Sequence, residues 1–224
     1  SHFNENYTII TGSAKASYEI AKGLVYSLGL NGFYQVSTST YDIPSFTLLD
    51  INGKNPAIQN RSYTQTKGDY FQYTMDNLLS FKRTIGENDI DVLLGQSWLS
   101  EKSTSGAIIG GAGNFVSNTI TTARGSVATS GYNYDSGLLS FFGRVNYGYK
   151  DRYLVSVSAR SDASSKFAKS KRVGVFPSLS VGWNIHNESF FKSNIISQAK
   201  LMGSYGELGA NFIPPYSFVS TIRA

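Results

Sequence analysis

Tyr70-Phe71-Gln72-Tyr73-Thr74-Met75-Asp76-Asn77-Leu78-Leu79-Ser80-Phe81-Lys82-Arg83-Thr84-Ile85 is the stretch that decides the fold. Its odd positions read Phe71, Tyr73, Met75, Asn77, Leu79, Phe81, Arg83, Ile85, and its even positions Tyr70, Gln72, Thr74, Asp76, Leu78, Ser80, Lys82, Thr84. Successive side chains of a strand point to opposite faces, so a period of two marks a strand with one mainly apolar face and one mainly polar face. The run is about three times the usual strand length of five or six residues. At roughly 3.3 Å per residue it reaches about 50 Å, enough to cross a bilayer and project beyond it.

The alternation recurs. In 138–149 the apolar set is Leu139, Phe141, Val145, Tyr147, Tyr149, opposed by Ser140, Arg144 and Asn146. Residues 153–161 set Tyr153, Val155, Val157 against Ser156, Ser158, Arg160, and residues 177–185 set Leu179, Val181, Trp183 against Ser178, Ser180, Asn184. Stretches 90–98 and 24–34 carry the apolar set on even positions. With 8–20 and 198–207 these make about eight strands, and the only window with any helical character is a short turn over 188–196. The expected class is all-β: an antiparallel up-and-down meander of about eight long strands, a segment of a transmembrane β-barrel.

Composition fits. With no cysteine there is neither a disulfide framework nor a thiolate metal site. No run of 18 apolar residues exists, so no transmembrane helix is present, but barrel strands are only half apolar and need no such run. The 15 Tyr and 14 Phe gather at strand ends (Tyr18, Tyr34, Tyr147, Tyr149, Tyr153), where barrels carry aromatic girdles. Connections alternate in length: short at 21–23, 86–88 and 150–152, long at 37–67 and 101–136, intermediate at 162–173 and 186–197. Antiparallel neighbours place every second connection on the same side, so tight turns collect on one side and large loops on the other. Outer-membrane barrels sort their periplasmic turns and extracellular loops in this way.

Catalytic chemistry has little to stand on. The two histidines are His2 and His186, Asp89 and Asp91 sit beside a turn, and the glycines at 106, 110, 111 and 113 lack the Lys-Ser/Thr of a phosphate loop. No catalytic residue, metal ligand or cofactor is expected. The net charge of +5 includes Lys166, Lys169, Lys171 and Arg172 in one outer loop, without the recognition element that nucleic-acid binding would require.

Several ordered segments carry a family resemblance. Leu139-Ser140-Phe141-Phe142-Gly143-Arg144-Val145-Asn146-Tyr147, Lys150-Asp151-Arg152-Tyr153-Leu154, Ala159-Arg160-Ser161-Asp162-Ala163-Ser164-Ser165-Lys166-Phe167, Phe176-Pro177-Ser178-Leu179-Ser180-Val181-Gly182-Trp183, Asn187-Glu188-Ser189-Phe190-Phe191 and Lys200-Leu201-Met202-Gly203-Ser204-Tyr205-Gly206 follow one another in an order and spacing that resembles the barrel of SusC/RagA-type TonB-dependent outer-membrane transporters. Ala163 stands where that family usually has glycine. The resemblance implies that residues 1–224 form part of a larger barrel, with no plug domain, TonB box or signal peptide among them. It also implies TonB-energised uptake of an oligosaccharide or peptide across the outer membrane of a Gram-negative bacterium. The implied partners are a SusD-type surface lipoprotein, TonB acting through the plug region, and outer-membrane lipid and lipopolysaccharide. Nucleic acid is not among them.

Placement in the large outer loops selects Asn114, Phe115, Tyr132, Tyr134 and Asp162 as ligand- or partner-binding residues. The aromatic rings and amide suit sugar rings, while Asp162 orients its loop through Arg160 or Lys166. Two other classes share the alternation: a soluble or adhesive β-sandwich, and a small self-contained eight-stranded membrane barrel. Trypsin applied to intact cells separates the topologies. Cleavage at Lys166–Arg172 with Lys150 and Arg152 spared is the expected result, and cleavage at the latter pair would invert the orientation.

Overall fold

The computed structural model describes residues 1–48, 57–59, 61–110, 127–192 and 195–217. Among the described residues ten strands follow one another: β1 (His2–Ala21), β2 (Leu24–Ile43), β3 (Phe46–Leu48), β4 (Ala57–Gln59), β5 (Ser62–Ile85), β6 (Asn88–Gly110), β7 (Val127–Tyr149), β8 (Tyr153–Ser164), β9 (Val173–Asn184) and β10 (Lys200–Gly206). Eight form one sheet in the order β1-β2-β5-β6-β7-β8-β9-β10, each beside its neighbour in the chain once the small antiparallel β3–β4 pair is set aside. The up-and-down meander of eight strands is therefore present, with β1 and β10 at the ends of the order.

The strands outrun the alternation that announced them. β1 begins at His2 rather than near residue 8, β2 runs to Ile43, β5 starts at Ser62, β6 runs to Gly110 and β7 starts at Val127. Much of 37–67 and 101–136, expected as loop, is therefore strand. The reason is that backbone pairing needs no apolar face: stretches such as Ser37-Thr38-Ser39-Thr40 and Thr64-Gln65-Thr66 are rich in β-compatible threonine yet polar on both sides, so they carry no alternation to read. The short turn expected over 188–196 is present at its start, where the Phe191 amide donates to the Glu188 carbonyl at 3.1 Å, directly after a 3-10 turn at Ile185–Asn187.

Contacts divide the chain into two units. The first comprises Ser1–Gly12, Gly32–Gln72 and Glu101–Asp135. Here Arg61 donates from Nε and Nη2 to the two carboxylate oxygens of Asp42 at 2.9 and 2.6 Å, a bidentate pair that holds the Asp42 carboxyl below its usual range. Phe3 meets Tyr41 edge-on with ring centroids 6.5 Å apart.

The second unit comprises Ser13–Asn31, Tyr73–Ser100 and Ser136–Ala224. Its register aligns like with like. Val145, Val157, Leu179 and Tyr205 lie side by side across β7, β8, β9 and β10, and Tyr149, Tyr153, Trp183 and Leu201 form a parallel row at the turn end. On the other face run Asn146, Ser156, Ser180 and Ser204. Burial is inverted relative to a soluble domain: Val157, Leu179, Val181 and Leu201 stand roughly half exposed, whereas Ser140, Ser164 and Asn184 are buried. A contiguous exposed apolar surface of this kind marks contact with another apolar phase.

Tight turns close the hairpins of this unit. Lys150 and Asp151 have φ of 57° and 50°, the left-handed pair of a type I′ turn, and the Arg152 amide donates to the Tyr149 carbonyl at 2.9 Å. Neither residue is glycine. The conformation is held by Asn184 and Asn187, whose side-chain amides donate to the Asp151 carbonyl at 2.7 and 2.8 Å, and by a 3.0 Å Lys150–Glu87 ion pair. The β1–β2 turn uses Gly23 at φ 81°, where a Cβ would overlap the Lys82 carbonyl oxygen, and the β5–β6 turn uses Gly86 at φ 60°, where a Cβ would meet open space. Gly86→Ala should cost only the left-handed term of about 1–2 kcal/mol. Gly23→Ala should cost measurably more, because it adds a clash with β5. Denaturant midpoints of the detergent-purified protein check this ordering.

Candidate functional site on the polar strand face

In the second unit the polar face is knitted by short side-chain bonds. Ser156 donates to Asn146 at 2.7 Å, the Ser158 and Ser178 hydroxyls meet at 2.7 Å, and Ser97 donates to Asp76 at 2.5 Å. Arg160 is its centre. Its Nε donates to both oxygens of Asp162 at 2.7 and 2.9 Å, its Nη2 donates to Ser140 Oγ at 2.9 Å, and its guanidinium lies 5.5 Å from the centroid of Phe142. Strand register puts Phe142, Arg160 and Phe176 in one row. Gly95 provides space for the Phe142 ring, and Gly174 for that of Phe176.

The first unit carries aromatic residues on β2, β5 and β7, with Glu101 on β6 between the last two in the sheet order. Tyr132 and Tyr134, two apart on β7, stack with centroids 5.9 Å apart at 14°. Tyr70 on β5 meets Phe33 of β2 edge-on at 5.8 Å. The Tyr70 hydroxyl lies 2.8 Å from Glu101 Oε1 and 2.8 Å from the Gln72 side chain. One hydroxyl proton serves one acceptor at a time; Gln72 Oε1 and Glu101 Oε1 both lie within reach of it, and the carboxylate is the stronger acceptor. The two acceptors hold the Tyr70 ring from β5 and β6.

At the turn end, Trp183 Nε1 donates to Glu188 Oε1 at 3.0 Å, Arg152 lies 3.3 Å from Glu188 Oε2, and Phe190 packs edge-on against Trp183 at 6.3 Å. Hydrogen bonds from Trp183 and Tyr153, with the Arg152 charge behind them, hold the Glu188 carboxyl below its usual range. This anchors the indole of the aromatic row.

Among the sequence-selected residues, Tyr132 and Tyr134 are brought into direct contact, on a strand rather than in a loop. Asp162 likewise lies on β8 and not in the 162–173 loop, where it is bound by Arg160 as one of the two expected partners. Asn114 and Phe115 fall outside the described residues. Phe33, Tyr70, Gln72 and Glu101 were not selected. Tyr70 heads the decisive alternating stretch, but Glu101 and Phe33, 31 and 37 residues away, leave no local signal. Among the described residues no cluster of His, Asp or Glu has the makings of a metal site.

A family profile described as "TonB dependent receptor-like, beta-barrel" matches residues 2–220. The chain belongs to the TonB-dependent receptor β-barrel family. It is 31% identical over 210 residues to TonB-dependent receptor P3 of Formosa agariphila, covering 90% of this chain and 20% of that protein. To TonB-dependent receptor SusC of Bacteroides thetaiotaomicron it is 31% identical over 181 residues, covering 80% of this chain and 17% of that protein. The chain thus spans about a fifth of the length of the curated relatives it matches. Among solved structures, the RagAB peptide transporter superposes with a TM-score of 0.81 at 19% identity, covering 96% of this chain and 24% of that one, a likeness of fold. The family is one of transporters and not of enzymes, and its members are outer-membrane proteins of Gram-negative bacteria.

The anchored Trp183 of this barrel segment has a testable pH signature. A carboxyl whose folded pKa is depressed stabilises the fold above its unfolded pKa, and that contribution disappears as pH falls through the folded value. Glu188→Gln should therefore lower the denaturant midpoint of the detergent-purified receptor at pH 7. The gap from the unmodified protein should close on acidification below about pH 4.

Proposed function

We propose that this chain is one arc of the barrel wall of an outer-membrane receptor that imports an oligosaccharide or a peptide by TonB-energised transport. The observation that carries the reading is the two-faced sheet. Its apolar rows, led by Val157, Leu179 and Val181, present a surface suited to lipid, and its serine, asparagine and arginine rows suit a wet or plugged interior. The aromatic row Tyr149, Tyr153 and Trp183 at the short-turn end fits the periplasmic interface. The sheet order ends at β1 and β10 with strands of very different length, which favours continuation into further strands over closure at eight. Plugged transporters use about 22 strands, so eight make roughly a third of such a wall.

Membership of the family supports TonB as the energy-coupling partner through a plug region, and the likeness to SusC supports a SusD-type lipoprotein on the outer side. Lipopolysaccharide and lipid are the surroundings of the outer face. A glycan cargo follows from the resemblance to SusC-type transporters, and a peptide cargo from the RagAB peptide transporter. Tyr132, Tyr134 and Asp162, with Asn114 and Phe115, are the cargo- or partner-contacting residues of this reading.

In cells producing the full receptor, Val157→Arg should reduce the amount recovered folded from the outer membrane. A charge on the lipid face costs about 2–4 kcal/mol near mid-bilayer. Ser158→Arg, one position along on the polar face, should leave recovery near normal. Uptake of the nutrient that supports growth should cease when TonB is removed. Equal tolerance of both arginines, or TonB-independent uptake, would overturn the reading.

A further inference from the structure

We infer that the basic turn joining β8 to β9, which carries Lys166, Lys169, Lys171 and Arg172 above a groove of small side chains on β8, binds the phosphorylated end of a lipopolysaccharide molecule in the outer leaflet. Such a site rests on the outer-membrane reading and gives a defined place to a lipid that would otherwise only surround the wall.

Height comes first. Tyr153 belongs to the aromatic row at the short-turn end, and Ala163, paired with Val173, is the last residue of the same outward set on β8 before the turn. Barrel strands rise about 3.3 Å per residue at a tilt of about 35–45°. The climb from Tyr153 to Ala163 is then about 23–27 Å, against an apolar band about 25 Å tall. The β8–β9 turn therefore emerges where hydrocarbon gives way to headgroups, the layer that holds the phosphates of lipopolysaccharide.

Charge is the second observation. Lys166, Lys169, Lys171 and Arg172 fall between Ala163 and Val173 with no carboxylate among them. The next acid along the chain, Asp162, is already held by Arg160 on the opposite face. Lys169 and Lys171 lie exposed on a 3-10 turn. Its backbone is tied by the Lys171 amide donating to the Ala168 carbonyl at 2.8 Å and the Ser164 amide donating to the Arg172 carbonyl at 3.0 Å. Arg172 Nε donates to the Phe167 carbonyl at 3.1 Å, which holds the guanidinium against the turn. Cations carried on a fixed backbone bind anions at a lower ordering cost. Ammonium groups meet phosphate as point charges, and a guanidinium meets it as a planar donor.

The third observation chooses the ligand. Below the turn the outward set of β8 is Ala159, Ser161 and Ala163. Register places Leu139 and Phe141 on one side of it and Val173 and Val175 on the other. Small side chains between larger ones leave a groove running down the wall from the turn, and Phe141, Ala159, Ser161 and Val175 line a concavity there. Val157, half exposed, closes the lower end. A phosphate site above a groove for an acyl chain fits an acylated, phosphorylated glycolipid. A nucleic acid or an acidic peptide has no chain to lay in it, and the single phosphodiester of a phospholipid leaves most of the cations unmatched.

The test titrates the full receptor in detergent with fluorescent diphosphorylated lipid A, and native mass spectrometry counts the lipid bound. Each cation beside an anionic lipid surface is worth about fivefold in affinity. Lys169→Gln/Lys171→Gln should therefore weaken binding at least tenfold, and Ser161→Phe, which fills the groove, severalfold. Lys22→Gln/Lys192→Gln, which removes two cations at the short-turn end, should bind as the unmodified receptor does. Lipid A stripped of phosphate and phosphatidylglycerol should each bind at least tenfold more weakly, and millimolar inorganic phosphate should not displace the lipid. Absence of lipid A binding, unchanged affinity in Lys169→Gln/Lys171→Gln, equal binding of dephosphorylated lipid A or of phosphatidylglycerol, or full displacement by inorganic phosphate would each overturn the assignment. TonB-dependent uptake survives all of these failures, whereas TonB-independent uptake with lipid binding intact would sink the transport reading and leave the lipid site standing.

Discussion

The backbone ladder is the constraint from which the other features follow. In hydrocarbon no water is available for an N–H or C=O, so each must find its partner in a neighbouring strand. Adjacent antiparallel pairing in chain order satisfies this with the shortest connections, and the sheet order β1-β2-β5-β6-β7-β8-β9-β10 is that solution. Register then follows from the faces. A slip of one residue between β8 and β9 would put Val157 and Leu179 on opposite faces, and both apolar rows would be broken together.

With the ladder settled, the two faces are free to differ, and they do so in the reverse sense to a water-soluble domain. Among the described residues Tyr63 is the one large apolar side chain that is buried, whereas small polar groups such as Ser140 and Asn184 are enclosed. Each enclosed group has a partner: Ser140 receives the Arg160 guanidinium and Asn184 donates to the Asp151 carbonyl. Charges on the polar face are handled in the same way. Arg160 is neutralised by Asp162 and spread over Phe142, which gives the row a defined shape as well as a charge. The tight turns are similarly propped from neighbouring hairpins, Asn184 and Asn187 supporting a left-handed Lys150-Asp151 pair that contains no glycine.

Legibility differed between the fold and the candidate site for one physical reason, the range of the interactions involved. Alternation is local, so the strands containing Phe71–Phe81 and Val155–Val157 could be read directly, and so could the short-turn positions at 21–23, 86–88 and 150–152. Where both faces meet water the alternation fades, which is why Tyr132, Tyr134 and Asp162 were expected in loops and are found on β7 and β8. The Tyr132–Tyr134 pair was within reach because a spacing of two places both rings on one strand face. The Tyr70–Glu101 hydrogen bond was not, because its members belong to two strands whose relative register is not written in either.

The amino-acid sequence by itself determined the all-β class, the two-faced strands, the sorting of short and long connections and the family, since each rests on patterns within a few residues or on ordered motifs. The tertiary structure alone decided how far each strand continues, which residues stand opposite one another, and hence the Phe142–Arg160–Phe176 row and the Phe33–Tyr70–Glu101 contacts. Those depend on inter-strand register, which is set by the whole ladder at once and leaves no trace in any single segment.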